Sequence, residues 1–155
     1  MNNIRFETFN IKHFADFERL AYKAVFEKGW VDIDFDRQHW NTHVKNTVSL
    51  ASNITRCLFD GGELIGFYIL QLHNLPWNKN THAIMTLMHI GPSYRTVELY
   101  QAMLRDADAI CSANQVKKLQ TSTESFLLRD DEKLTLLHNN NFQQIDMVWE
   151  VSKNV

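Results

Sequence analysis

Two cysteines in 155 residues rule out a disulfide-knit fold, and Cys57 and Cys111 are too far apart in sequence to suggest one pairing. Buried free thiols in a reducing compartment are expected instead. There is no run of lysine or arginine and the formal net charge is −2, so no strong electrostatic case exists for nucleic acid or an anionic membrane surface. No apolar run approaches the roughly 20 residues that cross a bilayer. MNNIRFETFN shows no basic segment followed by an apolar core, so no secretory leader is expected and the chain reads as soluble and cytoplasmic. P-loop, Gly-x-Ser-x-Gly and Cys-x-x-Cys patterns do not occur. His39 and His43 share a helical face in HWNTH, but Trp40 stands where a zinc protease needs glutamate and no third ligand is evident. They read as surface histidines, and no metal is expected.

The hydrophobic content is 45%, enough for one ordinary domain over residues 1–155 that buries about two-thirds of its unfolded surface. Ile4 to Phe9 alternates as a strand. From His13 to Lys28 the residues Phe14, Phe17, Leu20, Ala21, Ala24 and Val25 form one apolar stripe of a helix that Gly29 ends. Asp36 to Thr47 predicts a second helix opened by an acid. Ile54 to Phe59, Asp60-Gly61-Gly62 and Leu64 to Leu72 predict a hairpin, with Gly66 marking a bulge or close backbone approach. A polar connection over residues 73–81 leads to a strand over Ala83 to Ile90. A helix from Val97 to about Asn114, a strand over Lys118 to Thr123, a helix from Asp131 to about Asn139 and a strand over Met147 to Val151 complete the chain. RDDEK, residues 129–133, reads as a solvated helix start.

The most informative segment is HAIMTLMHIGPSYRTVELYQAML, residues 82–104, in which an apolar strand runs through Gly-Pro and an arginine into an amphipathic helix. A helix opening in this way offers uncapped N–H groups and the positive end of its dipole to an anion. Strand, turn and helix with a basic residue between them is also an ordinary structural connection, so the segment needs its context.

That context resembles the GNAT superfamily of acyl-CoA N-acyltransferases, whose turn reads Arg/Gln-x-x-Gly-x-Gly/Ala before a helix with two apolar residues one turn on. Arg95 fits the first position, and Met103 with Leu104 the last. Glu98 and Tyr100 stand at the two small-residue positions. Glycine lets main-chain amides reach phosphate oxygens. Glu98 instead brings a like charge, worth roughly 1 kcal/mol at about 4 Å in water and about 4 at an effective dielectric of 20. LTLLHNNNFQQIDMVWEV resembles the family's closing Tyr-x-x-x-Gly-Phe: Phe142 matches, Asn141 replaces glycine as a residue that also visits the left-handed region, and Leu137 occupies the tyrosine position. The element order is similar to the GNAT order over essentially the whole chain, and the sequence also resembles divergent GNAT-like proteins of tailed phages.

The resemblance implies an α+β fold with a mixed, mainly antiparallel central sheet flanked by helices. It implies acetyl-CoA as cofactor, weakened by Glu98 and Tyr100, with Met88, His89 and Ile90 along the pantetheine arm and Arg95, Thr96 and Val97 on the phosphates. The acceptor is then an amine on a small molecule or a protein. His89 is a candidate proton acceptor and His138, beside Leu137, a candidate acid. A satisfied strand histidine and an exposed last-turn histidine are the plainer readings of these two. Trp30 and Trp77 fall in the loops that flank the acceptor groove, where they stack on an acceptor or simply pack. Glu98, Tyr100 and Leu137 together keep a second reading open: a GNAT-fold binding or assembly module without catalysis, in host cytoplasm or virion, working as a homo-oligomer or with a protein partner.

Overall fold

The computed structural model describes residues 3–74 and 81–144. Trp77 and the strand expected over Met147–Val151 lie outside the described residues. The order of elements is β1 (Ile4–Thr8), α1 (Phe14–Glu27), α2 (Arg37–Ser49), β2 (Asn53–Asp60), β3 (Glu63–Asn74), β4 (Thr81–Ile90), α3 (Val97–Ala113), β5 (Val116–Gln120) and α4 (Asp130–Asn139). The described strands form one sheet in the order β1-β2-β3-β4-β5, antiparallel throughout except for the parallel β4–β5 pair. This is the mixed, mainly antiparallel sheet with flanking helices that the resemblance implied. Among the described residues no helix is long and apolar enough to cross a membrane.

Local chemistry sets most of the boundaries. Asn10 accepts from the Lys12 N–H and starts a 3₁₀ turn, Ile11–His13, so the first helix opens one residue later than its apolar stripe suggested. Asp36 accepts from His39 N at 2.9 Å and caps α2. Gly61 supplies the positive φ of the β2–β3 turn, at +61°. Gly66 faces the bulge between Leu58 and Phe59, and a Cβ there would lie 2.8 Å from the His89 carbonyl oxygen. The connection expected over residues 73–81 is shorter, because His73 and Asn74 still pair with His82 and Thr81. β5 begins at Val116 rather than Lys118, since Gln115, at φ 57°, ends the preceding helix and turns the chain directly into the sheet.

Each face of the sheet carries its own core. Phe17, Ala21 and Ala24 of α1 and Val44 of α2 pack on Cys57, Phe59, Phe67 and Ile69. On the other face Leu99, Tyr100, Met103 and Leu104 of α3 and Leu136 and Leu137 of α4 pack on Leu58, Tyr68, Met88 and Ile90. Each large apolar side chain fully removed from water contributes about 1.5–3 kcal/mol before entropy is counted. Cys57 and Cys111 are buried free thiols on opposite faces, pushed up to about 12 and about 11 mainly by burial, and are therefore inert at neutral pH.

Candidate functional site

β4 is where the sheet opens. Its pairing with β5 spans Thr81 to Ile84, and β5 ends at Gln120, so Met85 to Ile90 have no strand beside them on that edge among the described residues. A bulge assists the opening: Ile69 faces Leu87 and Leu70 faces Met85, which leaves Thr86 as the extra residue. Beyond β5 the chain makes a 3₁₀ turn, Thr123–Ser125, and this segment forms the facing wall. Between wall and strand lies a cleft of about 270 Å³ lined by Glu27, Trp30, Met88, His89, Glu124 and Ser125. Tyr100 holds the wall in place, because its hydroxyl accepts from the Leu127 N–H at 3.3 Å and its ring packs on Phe126 at 5.5 Å.

His89 is 4% exposed and lines this cleft, and its Nε2 has no hydrogen-bond partner among the described residues. Burial lowers its pKa to about 4, against the opposing charge of Glu27, so the imidazole is neutral at pH 7. A neutral ring so hard to protonate is a weak base: taking a proton from an alkylammonium of ordinary pKa is uphill by about 8 kcal/mol. Its chemistry at this position is hydrogen bonding. His138 is not brought near it; it lies exposed on α4, outside the lining of the cleft.

The turn after β4 is braced. Gly91 N donates to Ile65 O at 2.8 Å, and the Tyr94 hydroxyl donates to Asp60 Oδ2 at 3.2 Å, tying the turn to the β2–β3 hairpin. Thr96 caps α3, its Oγ1 accepting from Leu99 N at 3.1 Å while its carbonyl takes Tyr100 N. The amides of Val97 and Glu98 are then the helix's uncapped donors. Glu98 is exposed, whereas Tyr100, 1% exposed, belongs to the core. The two side chains differ in surroundings because residues two apart on a helix point to roughly opposite sides. Arg95 is engaged elsewhere: its Nε donates to Ile90 O at 2.8 Å and its Nη2 to Glu27 Oε2 at 2.6 Å.

At the chain's far end Asn141 adopts φ 65°, and Phe142 N and Asn141 N donate to Leu137 O and His138 O at 2.9 and 3.0 Å. Asparagine thus completes the helix-ending motif in place of glycine. Leu137 is a core side chain and supplies no proton. Sequence reasoning missed Glu27, Glu124 and Ser125, which reach the cleft from two elements remote from the turn and carry no local motif.

No family model matches this chain, and no curated protein matches it. Solved structures do. A possible acetyltransferase from Clostridium difficile 630 is similar at TM-score 0.75 and 8% identity, over 99% of each chain. A predicted acetyltransferase with acetyl-CoA from Clostridium acetobutylicum is similar at TM-score 0.73 and 11% identity, over 96% of each chain. An aminoglycoside antibiotic 6'-N-acetyltransferase from Acinetobacter baumannii is similar at TM-score 0.65 and 10% identity, over 99% of each chain. The chain has the GNAT fold.

Proposed function

We propose that this protein is a GNAT-like N-acetyltransferase that uses acetyl-CoA to acylate an amine. The observation that carries this reading is the edge of β4 from Met85 to Ile90, unpaired among the described residues and facing a cleft that holds a buried imidazole whose nitrogen has no partner among them. A buried polar atom without a partner is costly, by about 1–3 kcal/mol, unless a ligand satisfies it. The residues fit the cofactor in two places. Met88, His89 and Ile90 line the open edge where a pantetheine arm would lie, and the Thr96, Val97 and Glu98 segment presents uncapped amides to a diphosphate.

In this reading the main-chain groups of the open edge orient the arm, and His89, in its neutral Nε2–H form, donates a hydrogen bond to the thioester carbonyl. Arg95 acts through Ile90 and Glu27, holding the strand end in register with α1 rather than gripping phosphate. Glu124, an exposed carboxylate on the rim, receives the amine's proton directly or through a water. When bound, acetyl-CoA supplies the thioester: its C–S bond breaks as the amine nitrogen forms the C–N bond, and of the two protons the ammonium loses, one ends on the thiolate and one in solvent.

A second reading, a GNAT-fold binding or assembly module, is favoured by the commitment of Arg95 to Glu27 and by Leu137 in the core. The resemblance to tailed-phage proteins rests on sequence alone and belongs with this reading. Melting with and without acetyl-CoA separates the two. At about 100 times its dissociation constant a ligand of the native state adds roughly 2.7 kcal/mol, a rise of several degrees for a domain of this size. No shift at millimolar acetyl-CoA contradicts the enzyme.

A further inference from the structure

Next to the cleft, on the face that carries α1 and α2, is a second cavity of about 150 Å³ whose walls include Phe17, Trp40, Val44, Val48, Ile69 and Leu87. It shares one lining residue with the cleft. Trp30 lines both, and Leu87 in one stands two residues before His89 in the other, about 7 Å along the strand. A cavity of about 150 Å³ with such walls takes a benzene-sized apolar group.

Charge narrows the occupant. No carboxylate lines the cavity among the described residues, where His43 is the one titratable side chain. A polyamine or aminoglycoside placed there would leave ammonium groups buried without partners, which is strongly unfavourable. In the neighbouring cleft lie Lys28 and two carboxylates, Glu27, which is paired with Arg95, and Glu124, which would face a single emerging ammonium. The Trp40 indole N–H is buried without an acceptor among the described residues, a donor that a ligand oxygen would satisfy.

We propose that this cavity seats the body of the acceptor, and that the acceptor is a small monoamine with an aromatic or branched apolar body bearing an oxygen. Its amino group passes Trp30 into the cleft. The assignment rests on the acyltransferase reading and gives it a substrate class.

Calorimetric titration of tyramine, 2-phenylethylamine and spermidine into the full chain tests it. Tyramine is expected to bind at least tenfold more tightly than spermidine. Val48→Trp, which fills the cavity, should weaken tyramine tenfold or more. The gentler Trp40→Phe should abolish the preference for tyramine over 2-phenylethylamine when both are measured on that variant. Equal or tighter spermidine binding, or tyramine binding indifferent to both variants, overturns the proposal. If acetyl-CoA raises the melting point while tyramine does not bind, the substrate class falls and the acyltransferase reading stands. If tyramine binds as expected while acetyl-CoA has no effect, the acyltransferase reading falls and the acceptor role with it.

Discussion

Arg95 and Glu27 meet at 2.6 Å, joining the residue after the β4 turn to the last residue of α1. Glu27 sits at the negative end of its helix, an unfavourable place for a carboxylate, and the guanidinium offsets this. Arg95→Ala therefore leaves both Glu27 and the Ile90 carbonyl without their donor, and a loss of about 1–3 kcal/mol in urea unfolding is expected. Glu27→Gln removes a negative charge from the cleft and releases Arg95 toward the α3 amides. Acetyl-CoA affinity should rise about fivefold, for roughly 1 kcal/mol of relieved repulsion. A fall in affinity would mean that the pair is needed intact.

Burial of His89 makes stability depend on pH. The folded pKa is lowered to about 4 from 6.5, so between these values the unfolded chain binds more protons than the folded one, and stability rises with pH. The contribution is full above about pH 6.5 and is lost as pH falls toward 4, by at most about 1.4 kcal/mol per unit. His89→Gln should flatten unfolding free energy over that window while leaving its slope elsewhere unchanged.

Asp106 of α3 accepts from Arg56 Nη2 and Nε at 2.9 and 3.0 Å and from the Tyr68 hydroxyl at 2.5 Å, pinning the helix to β2 and β3. Removing one member of a nearly buried pair leaves an uncompensated charge. Asp106→Ala should cost about 3–5 kcal/mol in denaturant unfolding.

Glu98→Gly and Tyr100→Gly should behave oppositely. Glu98 is exposed beside the uncapped amides, so its removal strengthens acetyl-CoA binding and costs about 1 kcal/mol or less of dipole stabilisation plus a similar glycine penalty. Tyr100 is core, and truncating it leaves a cavity worth about 3–5 kcal/mol. Calorimetry and thermal melts on the two single variants distinguish a loop effect from a core effect.

These contrasts mark what the sequence could convey. The Thr96 cap emerged only from the structure, whereas the strand before Gly91 and the left-handed Asn141 were legible because each is decided by residues within one turn of chain. The Thr86 bulge was not, since it exists only against Ile69 and Leu70 of the neighbouring strand. Arg95 read as a phosphate ligand because its partner Glu27 lies 68 residues away. Tyr100 read as an obstruction because helix direction, which sends it inward to Phe126, is fixed by packing and not by spacing. Glu124 was invisible for the same reason: only the early end of β5 brings it to the cleft.

The central claim is that the open edge of β4 receives the acyl end of acetyl-CoA, and calorimetric titration of acetyl-CoA into the wild-type chain and Ser125→Trp tests it. Ser125 lines the cleft together with His89, so an indole there closes the opening. Saturable binding to the wild type that Ser125→Trp weakens at least tenfold, at an unchanged melting temperature, is the predicted result. Absence of binding up to millimolar ligand, or equal binding to both proteins, contradicts it.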